Sequence, residues 1–179
     1  MVVLIRALSL LGLLLAAVPV AAQQASEAAV KAVFLYKFAG YVEWPRAAFA
    51  AVDGPLVIGV QSSDEVAAEL EKIVPGRLIN ERRVVVQRVR EGDTLRGVHV
   101  LFVGRADPNP RQALRAAQQA GALGVTEIER GLEAGSAINF VVSEDRVGFE
   151  VNVEATERSG LRISSRMLQV ARRVVPSRS

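Results

Sequence analysis

The segment GSAINFVVSEDRVGFEVNVEATERSGLRISSRMLQVARRVV, running from Gly135 to Val175, decides the fold. Two apolar-rich runs, Ala137 to Val142 and Arg146 to Val153, flank the polar triplet Ser143-Glu144-Asp145. That pattern predicts an antiparallel hairpin. In the second run Val147, Phe149, Val151 and Val153 alternate with Arg146, Gly148, Glu150 and Asn152. A period of two predicts a strand with one solvated face. A polar connection follows, and Ser164 is placed to cap a final helix. Met167, Leu168, Ala171, Val174 and Val175 form the apolar stripe of that basic amphipathic helix. Arg172 and Arg173 fall near its C-terminus, where the helix dipole favours cations.

Upstream, Ser26 to Trp44 reads as a helix. Ser26 is its N-cap, Glu27 and Lys31 are an i,i+4 pair, and Pro45 ends it. Val30, Val33, Phe34, Phe38, Tyr41 and Val42 follow helical spacing. Pro55 to Val60 is a short apolar run between turn residues, hence a buried strand. Helices are predicted from Ser63 to about Val74 and from Pro110 to Ala120, the latter closed by Gly121. Strands are predicted at Val84–Val89, Val98–Val103 and Leu123–Thr126, with Val98–Val103 as the central one. The order implies an α/β fold: a mixed β-sheet flanked by helices, with the antiparallel hairpin and the amphipathic helix at its C-terminal end.

The first 22 residues carry one charge, Arg6, then the apolar run Leu8 to Val18, Pro19 and the small residues to Ala22. This matches a secretory signal cleaved near Ala22, and the run is shorter than the ~20 residues of a spanning helix. Residues 23–179 then suit one domain. The 179-residue chain carries a net charge of +3, and losing Arg6 with the leader leaves it nearly neutral. Such a balance offers no concentrated basic field for nucleic acid. Cysteine is absent, so disulfides and thiol chemistry are excluded.

Catalytic constellations are missing. His99 is the only histidine and lies inside the apolar run Val98 to Val103, the context of a satisfied strand imidazole. No nucleophile elbow, phosphate loop or His/Cys metal motif accompanies it. Glu127 with Glu129 and Glu144 with Asp145 read as turn or strand-end charges. Glu154 and Glu157 read as a solvated cluster with Arg158 and Arg162. Trp44, the single tryptophan, has two readings: packing over the next turn, or an aromatic anchor for a partner. Leu161 and Ile163 flank Arg162 as an exposed apolar pair, and Arg beside apolar side chains suits an interface.

Taken in order, these blocks resemble the YfiR family of bacterial periplasmic proteins. The blocks are KAVFLYKFAGYVEWP (Lys31 to Pro45), PLVIGV (Pro55 to Val60), VHVLFV (Val98 to Val103), INFV (Ile138 to Val141), RVGFEVN (Arg146 to Asn152) and GLRISSRML (Gly160 to Leu168). The resemblance covers nearly all of residues 23–179 and implies a compact α/β domain that is not an enzyme; the missing motifs lead to no expected cofactor or metal. It implies binding to the periplasmic sensory region of an inner-membrane diguanylate cyclase, which is held inactive, lowering cyclic-di-GMP and biofilm formation. It also implies an outer-membrane-associated sequestering partner and a capacity to dimerise. Partner contacts are expected at Glu157, Leu161, Arg162, Ile163, Arg166 and Leu168. Many members of that family carry cysteines, including one just before the central-strand histidine; Val98 stands there in this chain. Two other readings stand beside this one: a ligand-sensing module feeding a histidine kinase or other receptor, and a small periplasmic enzyme.

Overall fold

The computed structural model describes residues 26–177; the export signal read at residues 1–22 lies outside them. Ser26 caps α1 (Glu27–Tyr41), its hydroxyl accepting from the Ala29 N–H at 3.1 Å. The helix stops before Trp44. The backbone turns extended at Val42, and Val42–Glu43 forms β1. Pro45 forbids helix in its neighbour, and β1 finds a partner in a distant strand, β9 (Arg162–Ile163).

The main sheet is built from β2 (Leu56–Gln61), β3 (Leu78–Ile79), β4 (Arg82–Val89), β5 (Val100–Val103), β6 (Leu123–Thr126), β7 (Ile138–Ser143), β8 (Arg146–Asn152) and β10 (Arg173–Val175). Its eight strands run in the order β10-β8-β7-β6-β5-β2-β4-β3. From β7 to β4 all neighbours are parallel; β8 and β3 add antiparallel strands at either side, and β10 pairs parallel to β8. Parallel strands covered on both faces read as continuous apolar runs, and β5 and β6 are buried throughout. The mixed α/β architecture and the central place of the Val98–Val103 segment are as the sequence implies.

Three longer helices cover the sheet: α1, α2 (Asp64–Ile73) and α3 (Pro110–Gln119). Alternation along β5 separates two cores. Val100 and Phe102 join Leu35, Phe38, Leu70, Ile138, Phe149, Leu161 and Met167 on the α1/α2 face. Leu101 and Val103 join Leu114 and Ala117 under α3. Phe38 is the hub of the first core, with ring centroids 4.8 Å from Phe149 and 5.6 Å from Phe140. Removing such a ring costs about 3–5 kcal/mol.

The hairpin forms as expected, with Glu144 and Asp145 both at positive φ (52° and 56°). This is the mirror-image turn that suits the twist of antiparallel strands. Three local expectations change. A short helix α4 (Gly131–Ala134) precedes β7. The connection after β8 is structured: Asn152 caps α5 (Val153–Arg158), its side chain accepting from the Ala155 N–H at 3.0 Å, and β9 follows. The final helix α6 is only Ser165–Val170, and Val174 and Val175 belong to β10 rather than to a helical stripe. The free edge of β8 explains this. Arg172 N–H donates to the Phe149 carbonyl at 2.8 Å, and the β-branched residues beyond it extend the ladder.

Candidate functional site

The pairing of β1 with β9 brings the N-terminal block and the C-terminal block together. Val42 lies opposite Ile163 and Glu43 opposite Arg162. Ser164 N–H extends the pairing by donating to the Tyr41 carbonyl at 2.9 Å. Trp44 is the next residue after β1, one position beyond the Glu43–Arg162 pair.

Of the residues predicted to meet a partner, Glu157, Arg162 and Arg166 are exposed. Ile163 and Leu168 are half-buried and pack on the core with their inner sides. Leu161 is a correction: it is 1% exposed and belongs to the core. The cause is the end of α5. Gly160 takes a left-handed conformation (φ +72°), its N–H donating to Glu157 O at 2.8 Å, while Leu161 N–H donates to Thr156 O at 3.2 Å. This helix stop sends the residue after glycine inward against the helix. The Arg-Ser-Gly-Leu sequence at 158–161 carried that signal, and it identifies Leu161 as an anchor rather than a contact.

Trp44 is half-buried and packed. Its indole N–H donates to the Ala39 carbonyl at 2.9 Å, and its ring meets His99 edge to face at 5.6 Å. Phe49 stacks on the same imidazole at 4.5 Å, and the Arg82 guanidinium lies 3.6 Å from the Phe49 ring centre. His99 is 4% exposed, and its Nδ1 accepts from the Val57 N–H at 3.1 Å. Nδ1 is thus the unprotonated nitrogen of a neutral ring. Burial pushes the His99 pKa down, and nearby Arg82 adds to this; the Ala48 and Gly97 backbones favour the cation but do not restore it. Outside this stack, a cavity of about 430 Å³ is walled by Tyr41, Trp44, Phe49, Arg82 and Ser164.

At the opposite end of the sheet lies a charge cluster that the sequence showed only as separate pieces. Lys31, 3% exposed, pairs with Glu27 and Glu127. Arg105 joins both carboxylates, at 2.6 Å and 3.0 Å, and its N–H donates to Glu127 at 3.1 Å. Burial pushes the Glu127 pKa up, but hydrogen bonds from Arg105 and Lys31 outweigh it and hold the carboxyl below its ordinary value. The Lys31 hydrogen bond leads in lowering Glu27. Two cations face two carboxylates, which ties the start of α1 to the ends of β5 and β6. Its signal was the lysine on the buried face of a helix, since a buried ammonium requires partners.

Among the described residues no three metal-ligating side chains converge, and no helix is long and apolar enough to cross a membrane.

The fold is an α/β sheet domain in which the N-terminal block pairs with the C-terminal block through β1 and β9. The chain belongs to the YfiR/HmsC-like family, whose model matches residues 28–172, from the first turn of α1 to the residue before β10. That family is periplasmic, regulatory and non-catalytic.

Proposed function

We propose that the protein is an exported inhibitor of an inner-membrane diguanylate cyclase, acting from the periplasm on the receptor's sensory region. The family match over residues 28–172 is the observation that carries this reading. The C-terminal segment that pairs with β1 supports it: along it Glu157, Arg162 and Arg166 are exposed, and Ile163 and Leu168 are half-buried. Arginine and aromatic groups around a small apolar floor are what interface hot spots use.

Inhibition would work by population shift. Binding one receptor conformation more tightly holds the cytoplasmic domain off, and a complete reversal requires about 5.5 kcal/mol of differential affinity. An outer-membrane-associated protein competing for the same surface would relieve it, as would self-association that covers it.

Capture from detergent-solubilised inner membrane tests the reading. The expected prey is a transmembrane protein with a cytoplasmic cyclase domain, lost with Arg162→Glu. Capture of a histidine kinase instead, or of no membrane protein, contradicts it.

A further inference from the structure

Strand β4 is only partly covered along its outer edge. Its inner edge pairs with β2 from Val84 to Val89, while β3 pairs only with Arg82 and Arg83. Val84 N–H adds one longer bond to the Arg77 carbonyl, at 3.4 Å. There the cover stops. Pro75-Gly76 precedes Arg77, Gly76 takes a left-handed conformation (φ +71°), and Arg77 N–H closes a turn onto Val74 O at 3.0 Å. Proline has no N–H to give a ladder, and the glycine allows the sharp turn back to α2. Backbone groups alternate sides along a strand, so Val86 and Arg88 share the outward direction of the Val84 N–H. Among the described residues no strand lies beside their N–H and C=O groups.

The same edge leaves apolar surface open. Leu78 is 56% exposed and Val85 42%. Leu78 lies opposite Arg83, and Arg83 and Val85 are two residues apart, so the three share one face of the sheet. Val89, further along that face, is buried in the core under α3, but Val85 is not. The charges are one-sided. Arg83 and Arg90 are exposed and form no ion pair among the described residues. Arg88, between them, is held by Asp64 at 2.6 Å and Glu71 at 2.9 Å. The acidic neighbours Glu81 and Glu91 lie in turns outside the strand, and Glu91 accepts from the Asn109 amide at 2.8 Å. The open stretch is thus apolar in its middle, with an unpaired cation at each end. An edge with unpaired backbone and exposed apolar side chains is a template for another strand.

The charge pattern disfavours a second copy as the occupant. Antiparallel pairing of two β4 edges, centred on Val86 or on Gln87, puts Arg83 of each strand within one position of Arg90 of the other. Like charges facing across strands destabilise, whereas carboxylates at those places would stabilise.

We propose that the outer edge of β4 takes an added strand from another protein: an extended segment, β-branched in its middle, with carboxylates at its ends. Its backbone pairs with Val86 and Arg88, its apolar side chains lie against Val85, and its carboxylates meet Arg83 and Arg90. Main-chain bonds supply affinity in this mode, and the charges select the partner. Arg83 and Arg90 are seven positions apart, about 23 Å of strand, so a segment of similar length spans them. The edge lies at the other end of the sheet from β8 and β10. It does not depend on the receptor reading, so its test uses the purified protein.

In the free protein, amide exchange should be fast at Val86 and Arg88 and slow at Val85 and Gln87, whose N–H groups face β2. The probe is the capped peptide Glu-Val-Thr-Val-Thr-Val-Glu. Its titration should shift the Val86 and Arg88 amide resonances saturably and slow their exchange at least about fivefold. The same peptide with lysine at both ends should bind at least about threefold more weakly, since each facing charge pair is worth a few-fold. Arg83→Glu/Arg90→Glu should reverse that preference. Arg90→Glu alone, beyond the end of β4, should narrow it and serves even if Arg83→Glu disturbs the hairpin. No saturable shift up to about 1 mM acidic peptide, near the weak end of specific binding, overturns the proposal. Equal affinity for the lysine peptide, or an unchanged preference in Arg90→Glu, overturns it too. Protection of Val86 and Arg88 that grows with protein concentration in the absence of peptide would make a second copy the occupant and would also overturn it.

Discussion

Glu43 and Arg162 sit directly opposite one another across the antiparallel pair β1–β9, one from the Glu-Trp-Pro end of the N-terminal block and one from the Gly-Leu-Arg-Ile-Ser block. Opposite charges facing across strands stabilise by roughly 0.2–1 kcal/mol, and like charges destabilise. Arg162→Glu should therefore shift the thermal transition only slightly, while receptor capture is lost. A collapse of the fold in circular dichroism would show that the pair is structural instead.

Leu161 and its exposed neighbours should separate cleanly. Leu161→Ala removes a side chain that is 1% exposed and should cost about 2–5 kcal/mol in chemical denaturation. Arg166→Ala and Glu157→Ala, both exposed, should stay within about 0.5 kcal/mol. Ile163→Asp should cost both stability and capture, because Ile163 packs on the core with one side.

Glu127→Gln should be among the most destabilising polar changes. It leaves Lys31 buried with the half-exposed Glu27 as its only carboxylate, so the loss should fall toward the lower end of the ~3–5 kcal/mol typical of a broken buried pair. The pH dependence has a definite sign. Glu127 and Glu27 titrate below their ordinary value of 4.5 in the folded state. Their contribution is present above that value and is lost as pH falls through the folded pKa. Urea midpoints measured down this range should drop less steeply for Glu127→Gln than for the wild type.

His99 predicts a second acid step at higher pH. Its folded pKa lies below the ordinary 6.5, so the unfolded chain binds the proton more readily. Stability is full above about pH 6.5 and falls as pH drops from there toward the folded pKa. Comparing melting temperatures at about pH 7 and about pH 5 should show a smaller decline for His99→Gln than for the wild type.

The sequence revealed most where one local rule acts alone. Period-two alternation marked β8, the continuous run marked β5, and Ser26 marked the start of α1. It misled where tertiary pairing competes with a local pattern. Met167 to Val175 has helical spacing, yet the open edge of β8 takes residues 173–175 into a strand. The candidate surface was half legible. Arg162 and Arg166 are exposed as the mixed pattern implied, but Leu161 turns inward because Gly160 ends α5. The Lys31–Glu127 contact was hidden, since nothing local links a helix lysine to a strand-end glutamate so far along the chain.

The central claim is that this surface holds a cyclase off, and cellular cyclic-di-GMP tests it most directly. Deleting the gene should raise the level, and wild-type protein should restore it. A folded Arg162→Glu/Arg166→Glu variant should fail to do so. An unchanged level after deletion, with the membrane receptor present, would contradict the account.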